Sequence, residues 1–263
     1  MNFIKILYKN RKLVLSLGKN DFKNRFANTS LGSIWGFLQP FVFMITYVIV
    51  FQYILKTGSA GNDPYVVWFL PGMAMWQAIN DTVMSSSASI RTYSYLVKKV
   101  VFPVDIIPVI SIIASAFVAM FLFAVAIVVG CIFNYVPNFL QIIYIIFSAY
   151  IFLISFSRLT SAITTLVPDF ANLLGIAMQL FFWFTPVVWN LSMLSNHPTI
   201  LKIMKCMPFN YLVTGFRDAF ISSNIVTESN GIYTIVFWII TIIIYIWGNY
   251  IFKRSKKDFA DVL

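Results

Sequence analysis

"IIPVISIIASAFVAMFLFAVAIVVGCIF" (Ile106–Phe133) contains no charged side chain. A helix rises 1.5 Å per residue, and about 20 apolar residues cross the ~30 Å hydrocarbon core of a bilayer, so this stretch is long enough to span it. Five other stretches read in the same way: Ile34–Leu55, Tyr65–Ile90, Phe139–Thr164, Phe170–Trp189 and Ile232–Phe252. Tyr65–Ile90 is the most polar of the six. Runs of this length exclude a β-barrel, whose strands alternate in runs of about ten. The chain is therefore predicted to be an all-α integral membrane protein with six transmembrane helices. Its composition agrees, at 60% hydrophobic and 11% charged over 263 residues, where a soluble domain carries about 25% charged residues. Residues 1–30 are too charged to form the apolar core of a secretion signal.

Lysine and arginine set the orientation. With the N-terminus inside, only Lys56, Lys202, Lys205 and Arg217 of the 19 Lys and Arg fall in outer segments. Both termini are thus expected in the cytoplasm, and the net charge of +10 expresses that bias. Anionic inner-leaflet lipid is a sufficient partner for it, and nucleic acid is not required.

Residues 1–30 are organised. Lys5, Lys9, Lys12, Lys19 and Lys23 recur at helical steps, with Ser16 filling the gap and Arg25 following. Phe3, Leu7, Val14 and Leu17 fall on the other side. This is the pattern of an amphipathic helix lying on the inner leaflet, bent or broken at Gly18. Between the fifth and sixth spans, residues 190–231 hold two apolar patches, Thr199–Met207 and Tyr211–Ile221, each too short to span. A pair of re-entrant or interfacial helices separated at Pro208 is expected there. Arg217 and Asp218 lie in the second.

The loop of residues 91–105 breaks the apolar pattern with "SYLVKKVVFPVDIIPV" (Ser94–Val109). Lys98 and Lys99 sit beside Val100, Val101 and Phe102, and Pro103 and Pro108 bracket Val104–Ile107. Topology accounts for the lysines but not for the apolar residues next to them. Those would suit a groove on another protein.

Five segments, in order along the whole chain, carry a resemblance: "DFKNRFANTSLGSIWGFLQP" (Asp21–Pro40), "LVKKVVFPVDIIPV" (Leu96–Val109), "FTPVVW" (Phe184–Trp189), "MPFNYLVTGFRDAFI" (Met207–Ile221) and "FADVL" (Phe259–Leu263). They look like the permease subunits of ABC-2 type polysaccharide exporters, which export O-antigen, teichoic acid or capsule chains. The resemblance implies an ABC-2 type transmembrane domain over residues 31–263. It also implies a homodimer, two copies of an ABC ATPase subunit and a lipid-linked polysaccharide moved outward across the bacterial inner membrane. It makes Lys98, Lys99, Val100, Val101, Phe102 and Pro103 the coupling segment that docks into the ATPase. It puts Pro208, Tyr211, Arg217 and Asp218 in an outer gate, and lines the channel with the first and fifth spans. Trp35, Phe181, Phe182 and Trp183 are the aromatic candidates there, because rings pack on sugar C–H faces without demanding one sugar identity. Asp81, followed by Ser85, Ser86, Ser87 and Ser89, is the ionisable residue deepest in a span. Its face is expected to line a hydrated path or a dimer seam.

No G-x-x-x-x-G-K-[ST] loop occurs, so ATP and Mg²⁺ are expected on a partner ATPase and not on this chain, which is read as a transport subunit and not an enzyme. His197 stands beside Pro198 without a nucleophile in recognisable spacing, and Cys131 and Cys206 have no partners for a metal site. A membrane transferase would need convergent acids, histidines or a metal. A gradient-driven flippase would place several ionisable residues at mid-depth and show internal repeats. A small-molecule or drug exporter of the same ABC-2 architecture remains the alternative.

Overall fold

The computed structural model describes residues 3–27, 29–54, 63–99, 102–222 and 231–263. The helices are α1 (Phe3–Lys9), α2 (Arg11–Asn24), α3 (Trp35–Val48), α4 (Tyr65–Thr92), α5 (Ser94–Lys99), α6 (Ile107–Ile132), α7 (Phe139–Leu166), α8 (Phe170–Phe184), α9 (Pro198–Lys205), α10 (Pro208–Ile221), α11 (Gly231–Ser255) and α12 (Phe259–Val262). A wider π-helical turn, Ile49–Ile54, extends α3.

Among the described residues, four stretches are long and apolar enough to cross a membrane: Gly32–Ile54, Val104–Ile132, Phe139–Leu166 and Gly231–Ser255. The two other expected spans fall short for different reasons. α4 has the length but carries Gln77, Asn80, Asp81 and a serine run. It is the centre of the bundle, packed on α6, α7 and α10, so its serine run meets protein, and Gln77, Asn80 and Asp81 face a cavity. α8 has the apolarity but not the length. It was expected to run to Trp189 and ends at Phe184, after 15 residues, which at 1.5 Å per residue covers about 22 Å. Pro186 is the cause: it disfavours helical geometry at the preceding residue, and Thr185 is extended with ψ 133°. Val187 and Val188 then turn back into the core.

Among the described residues the interior has two apolar clusters. The larger includes Phe69, Ile79, Phe152, Phe216 and Phe237. The smaller, formed by Phe3, Val14, Ile90, Ile107, Phe252 and Phe259, gathers α1, α2, the ends of α4 and α11, and α12. Lipid supplies no hydrophobic drive between helices, so close contact and interhelical hydrogen bonds matter more. The serine run of α4 serves this purpose. Ser86, Ser87 and Ser89 are buried, and Ser86 donates to Ser157 of α7 at 2.6 Å.

The N-terminal segment corrects two expectations. It is two helices, and the break comes at Asn10, not at Gly18. Gly18 is helical and buried, and a Cβ there would fall 2.6 Å from Ile113 Cγ2. It is a point of close approach between α2 and α6 and not a hinge. Lys5, Lys9, Lys12, Lys19 and Lys23 are exposed, and Phe3 and Val14 are buried. Arg25 does not join that lysine stripe, because it turns inward.

Candidate functional site

α3, α4, α6 and α8 line an open-sided cavity of about 660 Å³. Its wall combines amides (Gln39, Gln77, Asn80, Gln179), a charged corner (Arg25, Asp81) and rings (Phe43, Tyr47, Trp76, Phe182, Trp183). The charged corner is tied to α2. Arg25 Nη2 lies 3.1 Å from Asp21 Oδ2 and Nη1 3.5 Å from Asp81 Oδ2. Arg25 also donates to Ser115 Oγ at 3.3 Å and to the Ser111 carbonyl at 3.2 Å. Tyr93 OH donates to Asp21 Oδ1 at 2.7 Å. Burial first, then this bond, pushes the Tyr93 phenol up. Two carboxylates around one guanidinium leave the corner without excess positive charge, so it is not built to grip an anion. Amides, a carboxylate and ring faces can instead offer many weak contacts, none of which would trap a moving chain.

The structure brings some of the expected channel residues here and leaves others out. Asp81, Phe182 and Trp183 line the cavity. Phe181 does not: it packs into the core against Phe209, ring centroids 5.1 Å apart. Trp35 is not on the lining either, although its neighbour Gly36 is. Ser86, Ser87 and Ser89 face helix contacts, and only Ser85 approaches the cavity wall, 3.0 Å from Ser115 Oγ. Trp76 of α4 and Tyr47 near the end of α3 also line it, and no motif in the sequence marks either ring.

At the other end of the bundle, Pro208 opens α10. Tyr211 is buried and stacked on Phe237, centroids 4.6 Å apart. Its hydroxyl meets Tyr144 OH at 3.0 Å and Thr234 Oγ1 at 3.1 Å. Arg217 is buried over the ring of Trp68. It donates to the carbonyls of Trp68 and Val187, and not to the adjacent Asp218. Gly72 makes room for it, since a Cβ there would enter the guanidinium.

In the loop after α4, Val100 and Val101 lie outside the described residues, as does the side chain of Lys99. Lys98 is exposed. Phe102 is half-buried against the smaller cluster of its own chain, with Pro103 beside it. The exposed apolar side chain on α5 is Tyr95, at 55% exposure. No charge pattern marked it.

Arg158 is one of the cations that the positive-inside bias places on the inner side. It is among the largest fully buried side chains, held between the rings of Phe3 and Phe252 at 4.1 and 4.3 Å, with Nη2 3.3 Å from Asp105 Oδ1. Among the described residues no group of three His, Cys, Asp or Glu side chains comes together as metal ligands would.

A family model, ABC-2 type transporter, matches residues 12–221, the stretch from α2 through α10. The chain belongs to the ABC-2 type transporter family. Three relatives match nearly end to end. The O-antigen export system permease protein RfbA of Myxococcus xanthus is 20% identical over 263 residues, 99% of each chain. Two proteins of the same name from Klebsiella pneumoniae are 22% identical over 254 and 256 residues, 95% of each chain. In this ABC-2 transporter the four-helix cavity, the Arg217 joint and α5 all fall within the residues that the family model covers.

Proposed function

We propose that this chain is the permease subunit of an ATP-driven exporter that moves a lipid-linked polysaccharide, of the O-antigen, teichoic acid or capsule type, outward across the bacterial inner membrane. The observation that carries the reading is the match to O-antigen export permeases over 95–99% of both chains. The cavity supports it, because its rings and amides suit a polymer of hydroxyls and C–H faces. In this reading six segments cross the membrane: α3, α4, α6, α7, α8 with the turn after it, and α11. Both termini are cytoplasmic, and α9 and α10 form the outer gate that contains Pro208, Tyr211, Arg217 and Asp218.

The assembly would be a homodimer with two ABC ATPase subunits, which hold ATP and Mg²⁺. α3 and α8 flank the cavity with exposed apolar side chains such as Val42, Ile45, Ile176 and Leu180, and a second copy would cover them. Stroke transfer would run through α5 and the loop after it, with Tyr95 and Lys98 outward. Lys99, Val100, Val101, Phe102 and Pro103 complete the coupling segment.

Deletion of the gene, with analysis of intracellular and surface glycan, tests the reading. Lipid-linked polymer should accumulate inside and disappear from the surface, and the tagged chain should co-purify with an ABC ATPase. Normal surface polymer in the deletion strain would overturn it.

A further inference from the structure

The C-terminal residues return to α5. α12 packs against both α5 and α7. Phe259 is fully buried, its ring edge-on to Phe252 at 5.6 Å. Leu263 joins the same apolar cluster as Leu96 and Val97 of α5. Lys256 reaches the point where the chain leaves the α5 loop for α6, with Nζ 2.6 Å from Asp105 Oδ2. The other oxygen of that carboxylate accepts from Arg158 Nη2 at 3.3 Å, and the Asp105 carbonyl accepts from Nη1 at 3.2 Å. One carboxylate is thus shared by cations from α7 and from the C-terminal segment. Arg158 passes the contact on to Phe3 of α1 and Phe252 of α11.

We propose that residues 256–263 are the seat of α5. α12 braces the coupling helix against the end of the bundle, and Lys256 latches the exit of its loop to Asp105 and, through it, to Arg158. α5 is short, and the cluster beneath it is completed by the C-terminal residues. Without them that cluster would lose Phe259 and Leu263, which α12 brings against α5. Packed side chains and partly dry ion pairs are the physical path by which displacement at one element reaches another. A push on α5 would therefore reach α7, α1 and α11 together, and without the seat it would be absorbed by α5 itself. Lys256 and Phe259 are positioning residues. The inference rests on the reading of α5 as the element that receives the stroke of the ATPase.

The test uses Lys256→Met, Lys256→Arg and Phe259→Ala with two readouts. The first is tryptic cleavage at Lys98–Lys99 in the membrane-embedded chain without ATPase, with cleavage after Lys19 as the internal control. The second is ATP hydrolysed per polymer exported by the full complex. Lys256→Met and Phe259→Ala should be cut about tenfold faster at Lys98–Lys99 only, the scale of losing a charge-assisted hydrogen bond in a local opening. Their ATP use per polymer should rise by a similar factor, and Lys256→Arg should behave as the parent in both. Unchanged cleavage overturns the seat. Faster cleavage with an unchanged ATP ratio overturns its part in transmission, and so does a Lys256→Arg variant as uncoupled as Lys256→Met. If Phe259→Ala fails to insert, Lys256→Met decides, because its side chain is 41% exposed and closes no core. The cleavage readout needs no transport, so it stands or falls separately from the exporter reading.

Discussion

Arg217 lies over Trp68, its guanidinium carbon 3.7 Å from the ring centroid, with donors spent on the carbonyls of Trp68 at 2.8 Å and Val187 at 3.0 Å. One side chain of α10 thus pins α4 and the turn after α8. Arg217→Met would take the side-chain donor from the Val187 carbonyl, strip the second donor from the Trp68 carbonyl and remove the cation–π contact, at a cost of about 2–3 kcal/mol. Gly72→Ala would push a methyl into the guanidinium and cost about 1–3 kcal/mol. Thermal unfolding of the purified chain in detergent checks both. Midpoints equal to the parent would show that the joint carries no load.

Asp81 and Ser86 lie on one helix but meet different surroundings. Cysteine at position 81, in a background lacking Cys131 and Cys206, should react with a water-soluble thiol reagent through the cavity. Cysteine at position 86, buried against α7, should be protected. Equal reactivity at the two positions would contradict the packing of α4.

Phe181, Phe182 and Trp183 are adjacent in sequence and divided in role. Phe181→Ala should lower stability by about 3 kcal/mol through the void left beside Phe209. Trp183→Ala, at an exposed ring, should slow surface polymer appearance by about three- to tenfold, the scale of one lost aromatic contact, while stability holds. Phe182→Ala should slow it similarly but also cost stability, because Phe182 packs on Tyr47 and Trp76. Export at the parent rate in the double variant would remove these rings from the glycan path.

Gly18 is a contact and not a joint. Gly18→Val should force α2 off Ile113 and cost about 1–3 kcal/mol, because a packed interface has no slack for the added carbons. Asn10→Ala, at the actual break, should change stability by less than about 0.5 kcal/mol. Limited proteolysis after Lys19 and Lys23 reads the separation of α2. A silent Gly18→Val would restore the hinge reading.

Tyr95 is the exposed ring on α5. If it enters a pocket on the ATPase, Tyr95→Ala should weaken the assembly by about 2 kcal/mol, roughly thirtyfold in affinity. Phe102→Ala should act first on the stability of its own chain, since Phe102 packs inward. Co-purification of the ATPase at two salt concentrations measures the first effect. Unchanged retention of the ATPase by Tyr95→Ala would rule that contact out.

Much of this was legible in order along the chain. Long uncharged runs announce helices in lipid, because only a helix satisfies its own backbone hydrogen bonds there. The ends of α7 and α11, the two short helices on either side of Pro208, and the lysine-bearing side of α1 and α2 could all be read from hydropathy, proline and helical spacing. These depend on neighbours three or four residues apart, which a sequence displays directly.

What tertiary structure alone decided are the partners of polar and small residues. Arg158, Arg217 and Arg25 look alike in sequence as cations near apolar runs. One is sandwiched between rings and paired with Asp105, one is spent on two carbonyls, and one joins Asp21 to Asp81 at a cavity wall. Gly18 looks like a break, yet it serves as space for α6, as Gly72 does for Arg217 of α10. The C-terminal residues were legible only as a cytoplasmic end with inner-side cations, and Lys256 and Phe259 reach Asp105 and the cluster at α5. Each of these outcomes joins residues far apart in the chain. Which face of a helix meets lipid and which meets protein depends on how all the helices pack, and local pattern does not encode that choice when both environments are apolar.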